Sequence, residues 1–470
     1  MRAKAKGMSA LPLMLPSVCL VVFVSLGCSP TSQPTELESS VRPVGQQNQV
    51  EPLEEPAMLS GRLEKQSDAS SAPNGESGIP ATPADSPEDD LNTTTEESVP
   101  SDELALADVP EIEPAKPAIP ATAKNWPLFR GDSHSSGVAV STLPEKLELL
   151  WKFRVEDGGF ETTPAIVDGV AYVGDFDGKL FAVDVKSGDK LWEFAGELGF
   201  VASPAVFKGN VYIGDLDGKF YCINAKTGKK IWDFTAEAQI DSAANFYRDN
   251  VLVGSQDATL YCLKASDGKP VWKFTIDDQI RCTPTIVDNR CFLAGCDGKL
   301  HIVDLDKGEA VADVPIESPT GTTPAVLGNR VYFGTHAGDF FCIDWKEAKT
   351  IWTWQHEDDP SEFRSSAAVM KSHVIVGDRG RRLFALNPES GERIWNFPTK
   401  RNVDSSPVIV GDRVFFGSGD GIVFALDVKT GEEKWKYEAG GGFIGSPAVA
   451  DEKLFIASED GILYCFGAKE

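Results

Sequence analysis

The chain has 470 residues, 41% hydrophobic and 25% charged, which is enough to bury a large core, and its formal net charge is −26. An acidic excess of that size repels phosphate backbones and sets nucleic acid aside as a partner. Nine cysteines are present, no two adjacent and none in a C-x-x-C-H motif, so the sequence encodes neither a vicinal disulfide nor a covalently attached haem.

At the N-terminus, Arg2, Lys4 and Lys6 form a basic head before an apolar run, 11–26, interrupted by Pro12 and Pro16. The run is short and broken for a membrane span and has the form of an export signal. It ends in Ser25-Leu26-Gly27-Cys28, which resembles the lipobox of bacterial lipoproteins, although the leucine stands one place nearer the cysteine than is usual. The resemblance implies lipidation of Cys28 and attachment to a membrane through that anchor alone. Residues 1–28 thus read as signal. Residues 29–124 are rich in Pro, Ser, Thr, Glu and Ala and lack aromatics, with acidic clusters such as Glu88-Asp89-Asp90. Such a segment cannot offset its ordering entropy by burial, and reads as a disordered acidic tether with a mean reach on the order of 55 Å.

The ordered domain, 125–470, is expected to start at Asn125-Trp126-Pro127. Within it AVDVKSGDKLW (182–192) returns about every 40 residues, as CINAKTGKKIW (222–232), CLKASDGKPVW (262–272), IVDLDKGEAVA (302–312), CIDWKEAKTIW (342–352), ALNPESGERIW (385–395) and ALDVKTGEEKW (425–435). Each unit holds four short strand-like runs. In the first these are 163–167, 170–174, 180–184 and 191–194, separated by Asp168-Gly169, Asp177-Gly178 and Ser187-Gly188 turns. A four-stranded meander with two apolar faces is stable only when packed against neighbours in a ring.

The first-strand signature (TTPAIV, ASPAVF, SAANFY, CTPTIV, TTPAVL, SSAAVM, SSPVIV, GSPAVA) occurs eight times. The tryptophan position also occurs eight times, at Trp151, Trp192, Trp232, Trp272, Ala312, Trp352, Trp395 and Trp435, but offset by one strand. The predicted fold is therefore an all-β, eight-bladed propeller of four-stranded antiparallel blades. The run 149–155 is expected to complete the last blade by pairing with 463–466, leaving no open edge. Burying ~150–250 Å² per tryptophan at ~25 cal/mol per Å² gives up to ~4–6 kcal/mol for docking each blade on the next. Ala312 makes the fourth blade the expected weak point.

The A-x-D-x-x-T-G-x-x-x-W unit, matched throughout by 425–435, resembles the tryptophan-docking motif of pyrroloquinoline-quinone-like (PQQ-like) propellers. The lead-in NWPLFRGDSHSSG (125–137) is similar to that of many bacterial envelope members. Catalytic members of this family carry adjacent cysteines over the quinone and carboxylates that hold calcium. The chain lacks that cysteine pair and resembles the non-catalytic branch of BamB type. That resemblance implies an envelope scaffold with no cofactor, monomeric, on the periplasmic side of a membrane and in contact with other envelope proteins. The alternative reading is a quinoprotein dehydrogenase that binds PQQ, or a small sugar or alcohol, at the channel mouth.

Family geometry puts any pocket where the innermost strands begin. The residues there are Glu161, Val201, Asp241, Arg281, Gly321, Arg364, Asp404 and Ile444, of which Glu161, Asp241, Arg281, Arg364 and Asp404 are the candidate ligand ring. The period lengthens by about three residues between Trp352 and Trp395, within 356–364. Nearby lie Arg379, Arg381, Arg382 and Arg401, a candidate docking facet for an acidic partner or anionic envelope polymer. The five histidines have no ligand spacing, and the Asp-rich turns at Asp175-Asp177 and Asp215-Asp217 lack the further ligands of a calcium loop, so no metal site is expected. Cys222, Cys262, Cys342 and Cys465 share one repeat position with Ala182, Ile302, Ala385 and Ala425, a small apolar slot.

Overall fold

A computed structural model describes residues 116–469. The signal segment, Cys28 and the tether as far as residue 115 lie outside the described residues. Strand β1 (Glu148–Arg154) precedes a first sheet of β2 (Ala165–Val167), β3 (Val170–Gly174), β4 (Lys179–Asp184) and β5 (Lys190–Ala195). The same four-strand meander recurs at 205–235, 245–275, 285–315, 325–355, 368–398 and 408–438. The last sheet takes β30 (Ala448–Ala450), β31 (Lys453–Ser458) and β32 (Ile462–Gly467) from the C-terminus and β1 from the N-terminal side, in the order β1-β32-β31-β30. Every sheet has four antiparallel strands, eight sheets in all, with no helix among the described residues. Trp151 faces Cys465 across the closing pair and Phe153 faces Leu463, so the two chain ends share one blade. Innermost strands of neighbouring blades touch, as β2 touches the strand at 205–207, and β2 meets β30 to complete the circle.

The blades dock through one recurring joint. Six of the docking tryptophans lie on a turn glycine of the following blade, where a Cβ would come within 3 Å of the indole, while Trp435 donates its Nε1–H to the Leu147 carbonyl at 3.2 Å. The pairs are Trp151 on Gly188, Trp192 on Gly228, Trp232 on Gly268, Trp272 on Gly308, Trp352 on Gly391 and Trp395 on Gly431. These glycines also have positive φ, so both the turn and the close approach require glycine. The indole nitrogen reaches a carbonyl of the same turn region, as from Trp192 to Ala225 (3.0 Å), Trp352 to Pro388 (3.1 Å) and Trp395 to Val428 (2.8 Å). Of the docking tryptophans, only Trp232 and Trp395 are as buried as 9% relative exposure, so most joints fall short of the full-burial estimate.

The blade expected to be weakest is rebuilt instead. Ala312 pairs across strands with Ile302, whereas the tryptophans of the other blades pair with Ala or Cys. The facing turn carries Ala348 in place of glycine, and Trp345 from the fifth blade fills the space. Trp345 packs edge-on to Phe292 at 5.5 Å and donates its Nε1–H to the Gly328 carbonyl at 3.1 Å.

The lead-in segment starts before the expected boundary. The Ala118 amide donates to Ser133 Oγ and Ala121 is buried in the core shared by the first and last blades, so 118–124 belongs to the propeller rather than the tether. Composition hides this, because the proline-rich stretch owes its order to backbone pairing rather than to its own apolar residues. From there the chain crosses the inner strands in turn. Trp126 exchanges two backbone hydrogen bonds with Ile166, and Pro127 accepts from Val206. Ser133 accepts from Ile286, His134 from Val326, Ser136 from Val369 and Gly137 from Ile409. The segment thus satisfies edge amides that would otherwise face the channel. Trp126 and Arg130 are fully buried in it. The Arg130 guanidinium donates to the Ala367 and Pro407 carbonyls, and burial, offset in part by Asp132, lowers its pKa to about 9.

Two measurements test these joints. Gly268→Ala places a methyl 2.6 Å from the Trp232 ring, and should cost about 1–3 kcal/mol through overpacking. Gly411→Ala, at a comparable φ of +60° with nothing within 4 Å, should cost less; equal losses of melting temperature would refute the docking role.

In the fourth blade, His301 sits between Asp297 (2.9 Å) and Asp313 (2.8 Å). Burial works against its charge, but the bonds to Asp297 and then Asp313 outweigh it, and its pKa is raised. Its stabilisation is therefore complete below the unfolded histidine value of about 6.5 and is lost as pH rises through the folded one. His301→Tyr, imitating Tyr261 on Asp257, should flatten that alkaline decline in melting temperature.

Candidate functional site

The first-strand signature begins with two positions that are usually hydroxyl residues, and each has a separate task. The first ties the strand to its own blade: Gly174 N donates to Thr162 Oγ1, Gly254 N to Ser242 Oγ, Gly377 N to Ser365 Oγ and Gly417 N to Ser405 Oγ, all at 3.2 Å. The second ties it to the next blade. Backbone N–H groups donate from Thr163 to Ser203, Thr283 to Thr323, Thr323 to Ser366, Ser366 to Ser406, Ser406 to Ser446 and Ser446 back to Thr163, at 2.9–3.0 Å. The result is a belt of hydroxyls around the channel. It is interrupted at Ala243, which offers the Ser203 amide no acceptor.

This belt forms the wall of a cavity of about 570 Å³. Phe129 of the channel-closing segment also lines the cavity, at its closed end. Its mouth is set by Glu161, Val201, Asp241, Arg281, Gly321, Arg364, Asp404 and Ile444, so the five charged positions singled out in the sequence line one cup. Two further charges, Arg379 and Glu459, come from the turns between second and third strands. The repeat period could have revealed them. Their equivalents, such as Phe176 and His336, each donate a backbone N–H to the loop of the preceding blade, as Arg379 does to Glu362 and Glu459 to Gly442.

The charges in the cup are crowded and only partly paired. Burial raises the Glu161 carboxyl to about 7, helped by Glu459, Asp241 and Asp404 and opposed by Arg364. Burial likewise raises Asp241, against Arg281, and Asp404, against Arg379 and Arg364. Gln256 donates to Asp241 Oδ2 at 2.5 Å and Asn402 to Asp404 Oδ2 at 2.5 Å, while the Oδ1 atoms of both aspartates are buried without a hydrogen bond. Arg281 bonds the Gln279 amide oxygen through two nitrogens, and Arg364 lies 2.8 Å from Glu362.

Of the four arginines assigned to a docking facet, Arg381 and Arg401 line a shallow groove with Lys400 and Asn402, and Arg379 joins that groove to the cup. Arg382 does not belong with them. Its side chain is 12% exposed, pairs with buried Asp378 at 2.8 Å and donates to the Asp359 carbonyl at 2.8 Å. It is spent on anchoring the insertion, which lengthens the connection from Gln355 to Ala368 where other blades run, for example, from Ala195 to Ala205.

All seven described cysteines are buried, and none lines the cup. Burial pushes the thiols of Cys222, Cys262 and Cys342 up to about 12. The Asp-rich turns are hairpin chemistry: Asp175 accepts from Lys179 N, and Asp215 from Asp217 N and Lys219 N. Among the described residues, no three His, Cys, Asp or Glu side chains are grouped closely enough to hold a metal ion.

The fold and its central cup define a closed eight-bladed propeller with one end of the channel occupied by its own chain. Three segments, 135–239, 221–311 and 292–470, match the family model described as outer membrane protein assembly factor BamB. The chain belongs to that family. The outer membrane protein assembly factor BamB of Salmonella typhimurium is 27% identical over 96 residues, 18% of this chain and 24% of that protein, so the match spans about a quarter of the relative's length. In solved structures, BamB from Moraxella catarrhalis superposes with a TM-score of 0.60 at 19% identity, covering 69% of this chain and 100% of that one. Quinohemoprotein alcohol dehydrogenase from Comamonas testosteroni superposes with a TM-score of 0.64 at 15% identity, covering 75% and 82%. At these identities the structural likeness speaks for the fold alone.

The belt makes a specific prediction. Ala243→Ser supplies the missing acceptor for the Ser203 amide, and should add about 0.5–1.5 kcal/mol of stability. Ser406→Ala, which opens an existing link, should subtract a similar amount; thermal melts of the two variants moving in the same direction would contradict this account.

Proposed function

We propose that the chain is a non-catalytic interaction propeller of the bacterial cell envelope. It is exported, held at a membrane by lipid on Cys28 through the acidic tether, and works as a monomer that presents its mouth side to other envelope proteins. The observation that carries this reading is the placement of the basic groove. Arg381, Lys400 and Arg401 lie beside the three-residue insertion on a protein with a formal charge of −26. They stand on the mouth side, whereas the channel-closing segment contacts the opposite turns, with Asn125 Oδ1 accepting from Asp168 N and the Ala123 carbonyl from Asp451 N. A membrane attachment arriving through that segment leaves the groove free for an acidic protein surface. The name of the family, an assembly factor for outer membrane proteins, supports a role of the same kind.

A quinoprotein dehydrogenase is the competing reading, and the cup does not suit it. Its wall carries hydroxyls and no cysteine, and its carboxylates are not gathered into a metal-binding group.

Site-specific photo-crosslinking in cells tests the docking role, with Arg381→Glu combined with Arg401→Glu as the comparison. The crosslinked complex should fall several-fold while the melting temperature stays unchanged, and mass spectrometry should find lipid on Cys28. Undiminished crosslinking would refute the docking role, an unmodified N-terminus would refute the anchor, and dye-linked alcohol oxidation with added PQQ and calcium would overturn the non-catalytic assignment.

A further inference from the structure

The charges in the cup are sorted by blade. Around the ring, Asp404 stands in the seventh blade, Glu459 in the eighth, Glu161 in the first and Asp241 in the third, while Arg281 stands in the fourth and Arg364 and Arg379 in the sixth. Between them lie the uncharged Val201, Gly321 and Ile444. The cup therefore has an acidic arc and a basic arc facing one another across a shared cavity.

Each arc is crowded with like charge. Glu161 feels Glu459, Asp241 and Asp404 on its own side, with Arg364 the opposing neighbour. On the basic side, burial lowers the pKa of His336, and Arg364, Arg281 and Arg379 push it down further against the pull of Glu362. Local pairing does not exhaust either arc. Asp404 has a side-chain exposure of 8%; its Oδ1 accepts no hydrogen bond and has Arg379 Nε at 3.4 Å as its nearest guanidinium. Asp241 Oδ1 is likewise buried and unbonded, and Arg281 spends two nitrogens on an amide oxygen rather than a carboxylate. A buried acceptor without a donor carries a desolvation cost that a bound cation would remove.

The wall narrows the choice of ligand. Six belt hydroxyls, those of Thr163, Ser203, Thr323, Ser366, Ser406 and Ser446, accept a backbone N–H through one lone pair and keep a proton to donate. Donors arrayed along a wall suit a ligand with several carbonyl oxygens, while Phe129, Val201 and Ile444 offer apolar surface to side chains. The volume of about 570 Å³ falls within the usual range of small-ligand sites. A bare metal ion does not fit, because the carboxylates come from four blades and form no close group.

We propose that the cup binds a short zwitterionic peptide, with its ammonium group in the arc of Asp404, Glu459, Glu161 and Asp241 and its carboxylate against Arg281, Arg364 and Arg379. This site shares Arg379 with the basic groove of the docking proposal but does not depend on that proposal.

Isothermal titration of the full chain with tri-alanine, N-acetyl-tri-alanine and tri-alanine amide tests the assignment. The unblocked peptide should bind, and blocking either end should weaken binding at least about tenfold, a ratio that corresponds to 1.4 kcal/mol. Glu459→Gln, on an exposed turn, should abolish the preference for a free amine, and Arg281→Gln the preference for a free carboxylate. An ammonium group favours ionised Glu161, so binding should release protons and tighten as pH rises from 5.5 to 7, below the α-amino pKa of about 7.7–8.0. Glu161→Gln should remove that pH dependence. Equal affinity for blocked and unblocked peptides, or no heat from tri-alanine at millimolar concentration, would overturn the proposal while leaving the docking role standing.

Discussion

A flat indole lying on a turn that can have no side chain is the contact on which this ring depends. Single four-stranded sheets expose two apolar faces, and only a repeated joint of fixed spacing lets eight of them share those faces without gaps. At six of the eight joints glycine is required twice, for its φ and for the room it leaves. The departure at the fourth blade shows what the joint conserves. Trp272 faces Cys262 within its blade, but Ala312 faces Ile302, and the lost indole is replaced by Trp345 from the far side of the joint. Volume is kept while its donor changes. A ring that needed the motif itself would have opened there.

The inner rim meets a different constraint. Eight innermost strands present their edges to a channel, and edge amides in a narrow space need partners. The chain supplies them in two ways. Hydroxyls of the paired Ser/Thr signature latch one blade to the next, and the lead-in segment runs across the strands and takes up their remaining amides. That closure has a cost. Arg130 is fully buried with Nε and one terminal nitrogen unbonded, and its pKa falls to about 9 because burial outweighs the help of Asp132. A charge so placed is tolerable because its other terminal nitrogen is held by carbonyls of two different blades, which makes it a tie between them as well as a burden.

What the sequence made legible is whatever repeats. The blade count, the completion of the last blade by β1, and the convergence of Glu161, Asp241, Arg281, Arg364 and Asp404 all follow from equivalent positions at a fixed period. Contacts between unlike segments leave no such trace. The segment that pairs with the inner strands occurs once, so its true start near Ala118 and the placement of Phe129 at the closed end of the cup were invisible to periodicity. Arg382 was misplaced for the same reason: the insertion it anchors exists in one blade only. Glu459 and Arg379 were within reach, since their turn recurs in every blade, but they vary in type from Phe176 to Gly419 and so attract no attention as a motif.

The two ends of the channel consequently have different chemistry. On one side the backbone of the lead-in segment consumes hydrogen-bonding capacity and fills the space. On the other, inter-blade bonding uses backbone donors and hydroxyl lone pairs and leaves charged tips unspent. A ring whose stability resides in indole joints at its periphery and hydroxyl latches at its waist does not need those tips for folding. Substitutions at Glu161, Arg281 or Glu459 can therefore alter what the mouth recognises without loosening the blades, whereas the same freedom is denied to Gly268 or Ser406. The contacts that hold the ring and the charges at its mouth therefore occupy separate layers of the same repeat.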